Sequence, residues 1–104
     1  MKDVEIIREK LDNAELLAQL AEEAAELSQA ALKLRRAVSG ANPTPVSIGE
    51  AVDNVLDELA DVNVCVDALR LIGPTESRRI AGIAEIKMAR WATRLTEIGE
   101  GSKS

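Results

Sequence analysis

Apolar residues recur every three or four positions along most of the chain, which is the period of an amphipathic helix. Val4, Ile7 and Leu11 begin the pattern and predict a short helix over 3–11. Leu16, Leu20, Ala24, Leu27, Ala31 and Leu34 continue it and predict a long second helix over 14–38. A third stripe, Val52, Val55, Leu59, Val62, Val66 and Leu69, predicts a helix over 48–71. The fourth runs through Ile80, Ile83, Lys87, Trp91, Arg94 or Leu95, and Ile98, and predicts a helix over 76–98. A lysine sits within this last stripe, where an apolar residue would otherwise stand.

Residues between the stripes supply stops and starts. Asp12 and Asn13 are strong helix N-caps and break the first helix from the second. Lys33, Arg35 and Arg36 gather near the end of the second helix, where its dipole favours cations, and Gly40 ends it. Residues 39–46 hold Pro43 and Pro45 and form a stiff loop. Ser47-Ile48-Gly49-Glu50 has the form of a capping box. Gly73-Pro74 is expected to end the third helix, Thr75 to cap the fourth and Gly99 to close it, with residues 100–104 fraying. The expected fold is all-α: one domain over 1–104, a bundle of four helices of which the first is short.

Composition sharpens this picture. Hydrophobic residues make up 46% of 104 residues but aromatics only 1%, so the core is aliphatic and thin. A thin core favours assembly through helix faces, as a homodimer or homotetramer. Trp91, the single aromatic, is expected as the largest core or interface residue, with stacking on a base as the alternative. Cys65 is expected to be a small buried apolar group and cannot form an intrachain disulfide. A net charge of −5 argues against nonspecific nucleic-acid binding. No apolar run is long enough to span a membrane, and the first residues carry acids and not a signal-peptide core, so a cytoplasmic protein is expected. Histidine is absent, which excludes a histidine base and any histidine-ligated metal.

The remaining chemistry lies in carboxylates. Glu22-Glu23-Ala24-Ala25-Glu26 is centred in the second helix and Asp57-Glu58-Leu59-Ala60-Asp61 in the third. Glu23 and Glu26 are three residues apart, as are Glu58 and Asp61. Each pair is expected on the shoulder of its apolar stripe. Antiparallel packing of the two helices then turns all four carboxylates into one groove. Such a set cannot ionise cheaply without a counter-charge, and a hard divalent cation, Mg²⁺ or Mn²⁺, is the natural one. The plain alternative is a solvated acidic face.

Glu23-x-x-Glu26 followed by Glu58-x-x-Asp61, in the contexts Glu22–Leu27 and Asp57–Val62, resembles the signature of MazG-like nucleotide pyrophosphohydrolases. Lys87-Met88-Ala89-Arg90-Trp91 is similar to that family's basic last helix, and the resemblance covers about residues 14–95. It implies an all-α, oligomeric enzyme that hydrolyses a nucleoside triphosphate, or a modified one, to monophosphate and pyrophosphate with Mg²⁺. It implies Glu23, Glu26, Glu58 and Asp61 as metal ligands, and Lys87 and Arg90 as phosphate contacts. Either Glu22 or Glu23 would take the proton of the attacking water. Two other functions fit the residues: a helical module that binds nucleotide or metal without turnover, and a purely structural helical oligomer.

Overall fold

The computed structural model describes residues 2–40 and 46–103, with side chains described as far as Glu97. Among the described residues there are four helices and no strand: α1 (Asp3–Lys10), α2 (Asn13–Ser39), α3 (Ile48–Ala68) and α4 (Pro74–Lys103). None of them is long and apolar enough to cross a membrane. The chain forms two compact units, Met1–Arg70 and Leu71–Ser104.

In the first unit α2 packs along α3, and α1 packs against α3. The capping residues act where the sequence places them. Asp12 accepts a hydrogen bond from the Glu15 N–H at 2.8 Å, which separates α1 from α2. Ser47 Oγ accepts from the Glu50 N–H at 3.1 Å and starts α3. Gly40 closes α2 with φ of 65°, a left-handed conformation that suits glycine. Residues 41–45 of the proline loop lie outside the described residues.

α3 ends earlier than its apolar stripe suggests, at Ala68 and not near residue 71. The reason is a set of arginine contacts. Arg8 of α1 donates to the carbonyls of Asp67 (2.7 Å) and Ala68 (3.2 Å), which the end of the helix leaves without intrahelical partners. Arg70 donates from its backbone N–H to Asn13 Oδ1 and from its guanidinium to the Leu11 carbonyl. The end of α3 is thereby tied to the α1–α2 corner.

The seam between α2 and α3 keeps Leu16, Leu20, Leu27 and Leu34 of the first expected stripe and Val55, Val62 and Leu69 of the second, and takes the preceding residue at the other five positions. Its α2 side is Leu16, Leu20, Glu23, Leu27, Ala30 and Leu34; its α3 side is Ala51, Val55, Glu58, Val62, Cys65 and Leu69. Both follow steps of four and three. Ala24, Ala31, Val52 and Leu59, expected in the core, are exposed. The fully buried apolar residues are Leu16, Ala30, Ala51, Cys65, Ala68 and Leu69, and three of these six are alanines. Small residues bury little apolar surface, so the core is thin.

The second unit holds α4. Gly73 and Pro74 start this helix as well as separating it from α3. Pro74 is the first helical residue, a favoured place for proline, and the Glu76 carboxylate accepts from the Gly73 N–H at 2.9 Å. Thr75 is therefore inside the helix and is not its cap. Gly99 does not end it either, since α4 continues to Lys103; a glycine costs a helix about 1 kcal/mol and need not stop it. Every described side chain from Ser77 to Glu97 is exposed, Trp91 among them at 62%. Trp91 is thus not buried within its own unit.

The seam gives a direct test. Ala51 is fully buried at 0% exposure, so Ala51→Leu forces extra atoms into a packed site. Urea unfolding is expected to show a loss of about 1–3 kcal/mol. An unchanged midpoint would place residue 51 outside the seam.

Candidate metal centre

The antiparallel pairing of α2 and α3 fixes the site. Asn13 meets Arg70 at one end, and Glu23 lies beside Asp61, and Glu26 beside Glu58, further along. The three-residue step within each pair matches one helical turn, so the four side chains converge. Glu23, Glu26, Glu58 and Asp61 each offer a carboxylate oxygen, and these oxygens all lie within 4.8 Å of one another. The expected grouping is therefore present. Its position differs in one respect: Glu23 and Glu58 are members of the seam itself and are half-buried, while Glu26 and Asp61 are exposed at its edge.

The inner pair is poorly supplied with donors. Gln19 Nε2 donates to Glu23 Oε1 at 2.7 Å. The second oxygen of Glu23, Oε2, and Oε2 of Glu58 are buried and have no hydrogen-bond partner. A buried polar atom left unpaired is costly, and a charged one more so.

Proton affinities record the crowding. For Glu23 the Gln19 hydrogen bond pulls the carboxyl pKa down. Burial and the neighbouring Glu26 and Asp61 charges outweigh it, and the pKa is raised above its ordinary 4.5. Glu26 is raised as well, first by a hydrogen bond shared with Glu58, then by the Glu58 charge and by burial. Cys65 lies one turn beyond Asp61. Burial, then Glu23 and Asp61, push its thiol up, so it stays protonated and behaves as the small buried group expected.

The other residues singled out in the sequence fall elsewhere. Glu22 is exposed on α2, close enough to Glu26 to raise its pKa but outside the set of four. Lys87 and Arg90 are exposed on α4, where they line one groove with Arg94, Ile86, Ala89 and Thr93. Two residues were missed by reading the sequence. Gln19 stands one turn before Glu23, a spacing that permits the observed hydrogen bond. Lys33 stands two turns after Glu26 and reads as a dipole partner; it lines a cavity beside Glu26 and Glu58.

Comparison of the chain with protein-family models, with curated proteins and with solved structures finds no match.

Raised carboxyl pKa values make stability depend on pH with a defined sign. The folded chain binds protons that the unfolded chain releases, so this contribution is full below about pH 4.5 and is lost as pH rises through the raised values. The melting temperature of metal-free protein is expected to fall between about pH 4.5 and pH 7 more steeply in wild type than in Glu26→Gln. Parallel profiles in the two proteins would show that the crowding at Glu26 has no energetic weight.

Proposed function

We propose that the chain is a divalent-cation-dependent pyrophosphohydrolase of the MazG-like kind, acting on a nucleoside triphosphate or a modified one in the cytoplasm. One observation carries this reading: two buried carboxylate oxygens without donors, Glu23 Oε2 and Glu58 Oε2, lie within a set of four carboxylates. Such atoms call for a proton or a cation.

The residues fit a hard cation. All four groups offer oxygen, and neither histidine nor a second cysteine is available. Oxygens on opposite sides of a Mg²⁺ ion are about 4 Å apart, twice the ~2.1 Å bond, and the observed 4.8 Å limit needs little contraction to meet that. Glu23, Glu26, Glu58 and Asp61 would hold Mg²⁺, with Mn²⁺ as a substitute. The chemistry a bound cation supplies here is neutralisation of phosphate charge and a lowered pKa for water.

The chain's own residues do the rest. Water attacks the α-phosphorus, the α–β bridging bond breaks, and pyrophosphate leaves with its electron pair. Glu22 and Glu23 are the two candidates for the base. Glu23 belongs to the set of four and Glu22 lies beside Glu26 yet outside it, and either would take the proton. The resemblance gives Lys87 and Arg90 of α4 the role of phosphate contacts, which would supply fixed positive charge. Exposed apolar side chains in both units support assembly as a homodimer or homotetramer: Leu17, Leu56 and Leu59 in the first, Ile80, Trp91 and Leu95 in the second.

Two measurements test this function. A ligand that binds only the folded state raises its stability, so Mg²⁺ is expected to raise the melting temperature of wild type and not of Asp61→Asn. A panel of triphosphates with Mg²⁺ is then scored for pyrophosphate, with release from at least one member expected and loss of about a hundredfold or more in Asp61→Asn. Stabilisation by Mg²⁺ with no turnover across the panel would make the protein a binding module. No response to Mg²⁺ would leave the acids as a solvated face.

A further inference from the structure

Beside the carboxylate set, α2 and α3 line an open cavity of about 260 Å³, at which Glu26, Gln29, Lys33 and Asn54 are exposed. Glu26 and Glu58 form one end. Gln29, Ala30 and Lys33 of α2 and Asn54 of α3 form the remainder. These positions follow from helical spacing. Gln29 and Lys33 continue the Glu26 face by one and two turns, and Asn54 stands one turn before Glu58 on the opposing helix. The cavity therefore extends the carboxylate groove along the hairpin, in the direction away from Glu23 and Asp61.

Its size and lining define what it takes. Sites that enclose a whole small molecule measure about 300–1,000 Å³, so this one receives a single group of a ligand. The lining has no aromatic face on which a base could stack: the only aromatic of the chain is Trp91, in the second unit. Ala30 is its one apolar side chain. The rest is polar. Lys33 brings three donors on a cation, and the Gln29 and Asn54 amides bring two donors each. None of the three makes a hydrogen bond or ion pair with another described residue. Lys33 forms no ion pair with Glu26 or Glu58 although all three border the same cavity. Unengaged donors along this open space, next to a candidate site for a divalent cation, suit a tetrahedral oxyanion.

We infer that this cavity is a phosphate subsite, in which Lys33, with the amides of Gln29 and Asn54, binds one phosphate group of a polyphosphate chain whose neighbouring group sits on the cation. The inference rests on the reading of the four carboxylates as a cation site. It deepens that reading by giving the chain a direction: the substrate's phosphates run from the carboxylates toward Lys33, along the groove. Lys33 is a substrate-binding residue here, and the cation is held without it.

Calorimetric titration of the full chain separates the two claims. Mn²⁺ is titrated first into wild type, Lys33→Gln and Lys33→Arg; inorganic tripolyphosphate is then titrated with Mn²⁺ saturating. Mn²⁺ affinity is expected to be alike in all three, which also shows that the variants fold. Tripolyphosphate affinity is expected to fall about tenfold or more in Lys33→Gln, the loss of one charge-assisted hydrogen bond, and to recover in Lys33→Arg. Equal tripolyphosphate affinity in wild type and Lys33→Gln, with Mn²⁺ bound, overturns the subsite and leaves the cation site standing. Absence of Mn²⁺ binding in wild type overturns the cation site, and the subsite with it.

Discussion

Four carboxylates share the seam that holds α2 to α3, and the first unit is arranged around that fact. Two of their oxygens are buried without a donor, and the charges face one another across the seam. Like charges at this range oppose packing, and burial adds to the cost. The core offers little to offset it, since half of its buried residues are alanines. A bundle built only for stability would place leucine at positions 23 and 58. Under the proposed reading, a bound cation would supply stability that the side chains withhold.

The rest of the unit serves to keep that seam in register. Ala30 and Ala51 are buried in the seam. Arg8 closes the open carbonyls at the end of α3, and Arg70 fastens that end to the α1–α2 corner. Asp12 and Ser47 fix where α2 and α3 start. Because caps and arginines hold the ends, the centre of the hairpin tolerates a set of groups that would otherwise drive the helices apart. The same economy leaves Leu17, Val52, Leu56 and Leu59 exposed. A face of that kind is what a second subunit would cover.

Much of this was legible in the sequence. Four helices, the break at Asp12, the stop at Gly40 and the start at Ser47 all follow from period and capping chemistry. The two acid pairs were legible as well, because a three-residue spacing on each helix and an antiparallel hairpin bring them together. Their depth was not. Both Leu59 and Glu58 continue a step-of-four-and-three pattern, as do both Ala24 and Glu23, and hydrophobicity alone selects the leucine and the alanine. At these two positions packing takes the glutamate, so Glu23 and Glu58 line the seam and Ala24 and Leu59 face outward, while Leu20, Leu27, Val55 and Val62 stay in it. Trp91, expected as a core or interface residue, is exposed within its own unit. Lys33 was hidden by a second valid role, since a lysine near a helix C-terminus already has an electrostatic reason to be there.

The account rests on the carboxylate set exchanging protons for a cation. Glu23 and Glu26 hold protons more tightly than ordinary carboxyls, and a cation binds only their ionised forms. Calorimetric titration of Mg²⁺ in two buffers of different ionisation enthalpy counts the protons released on binding. Release is expected, and it is expected to grow as pH falls toward about 5, where more of these carboxyls are protonated. Binding of Mg²⁺ with no proton release at any pH, or with release that persists unchanged in Glu26→Gln and Glu58→Gln, would contradict it.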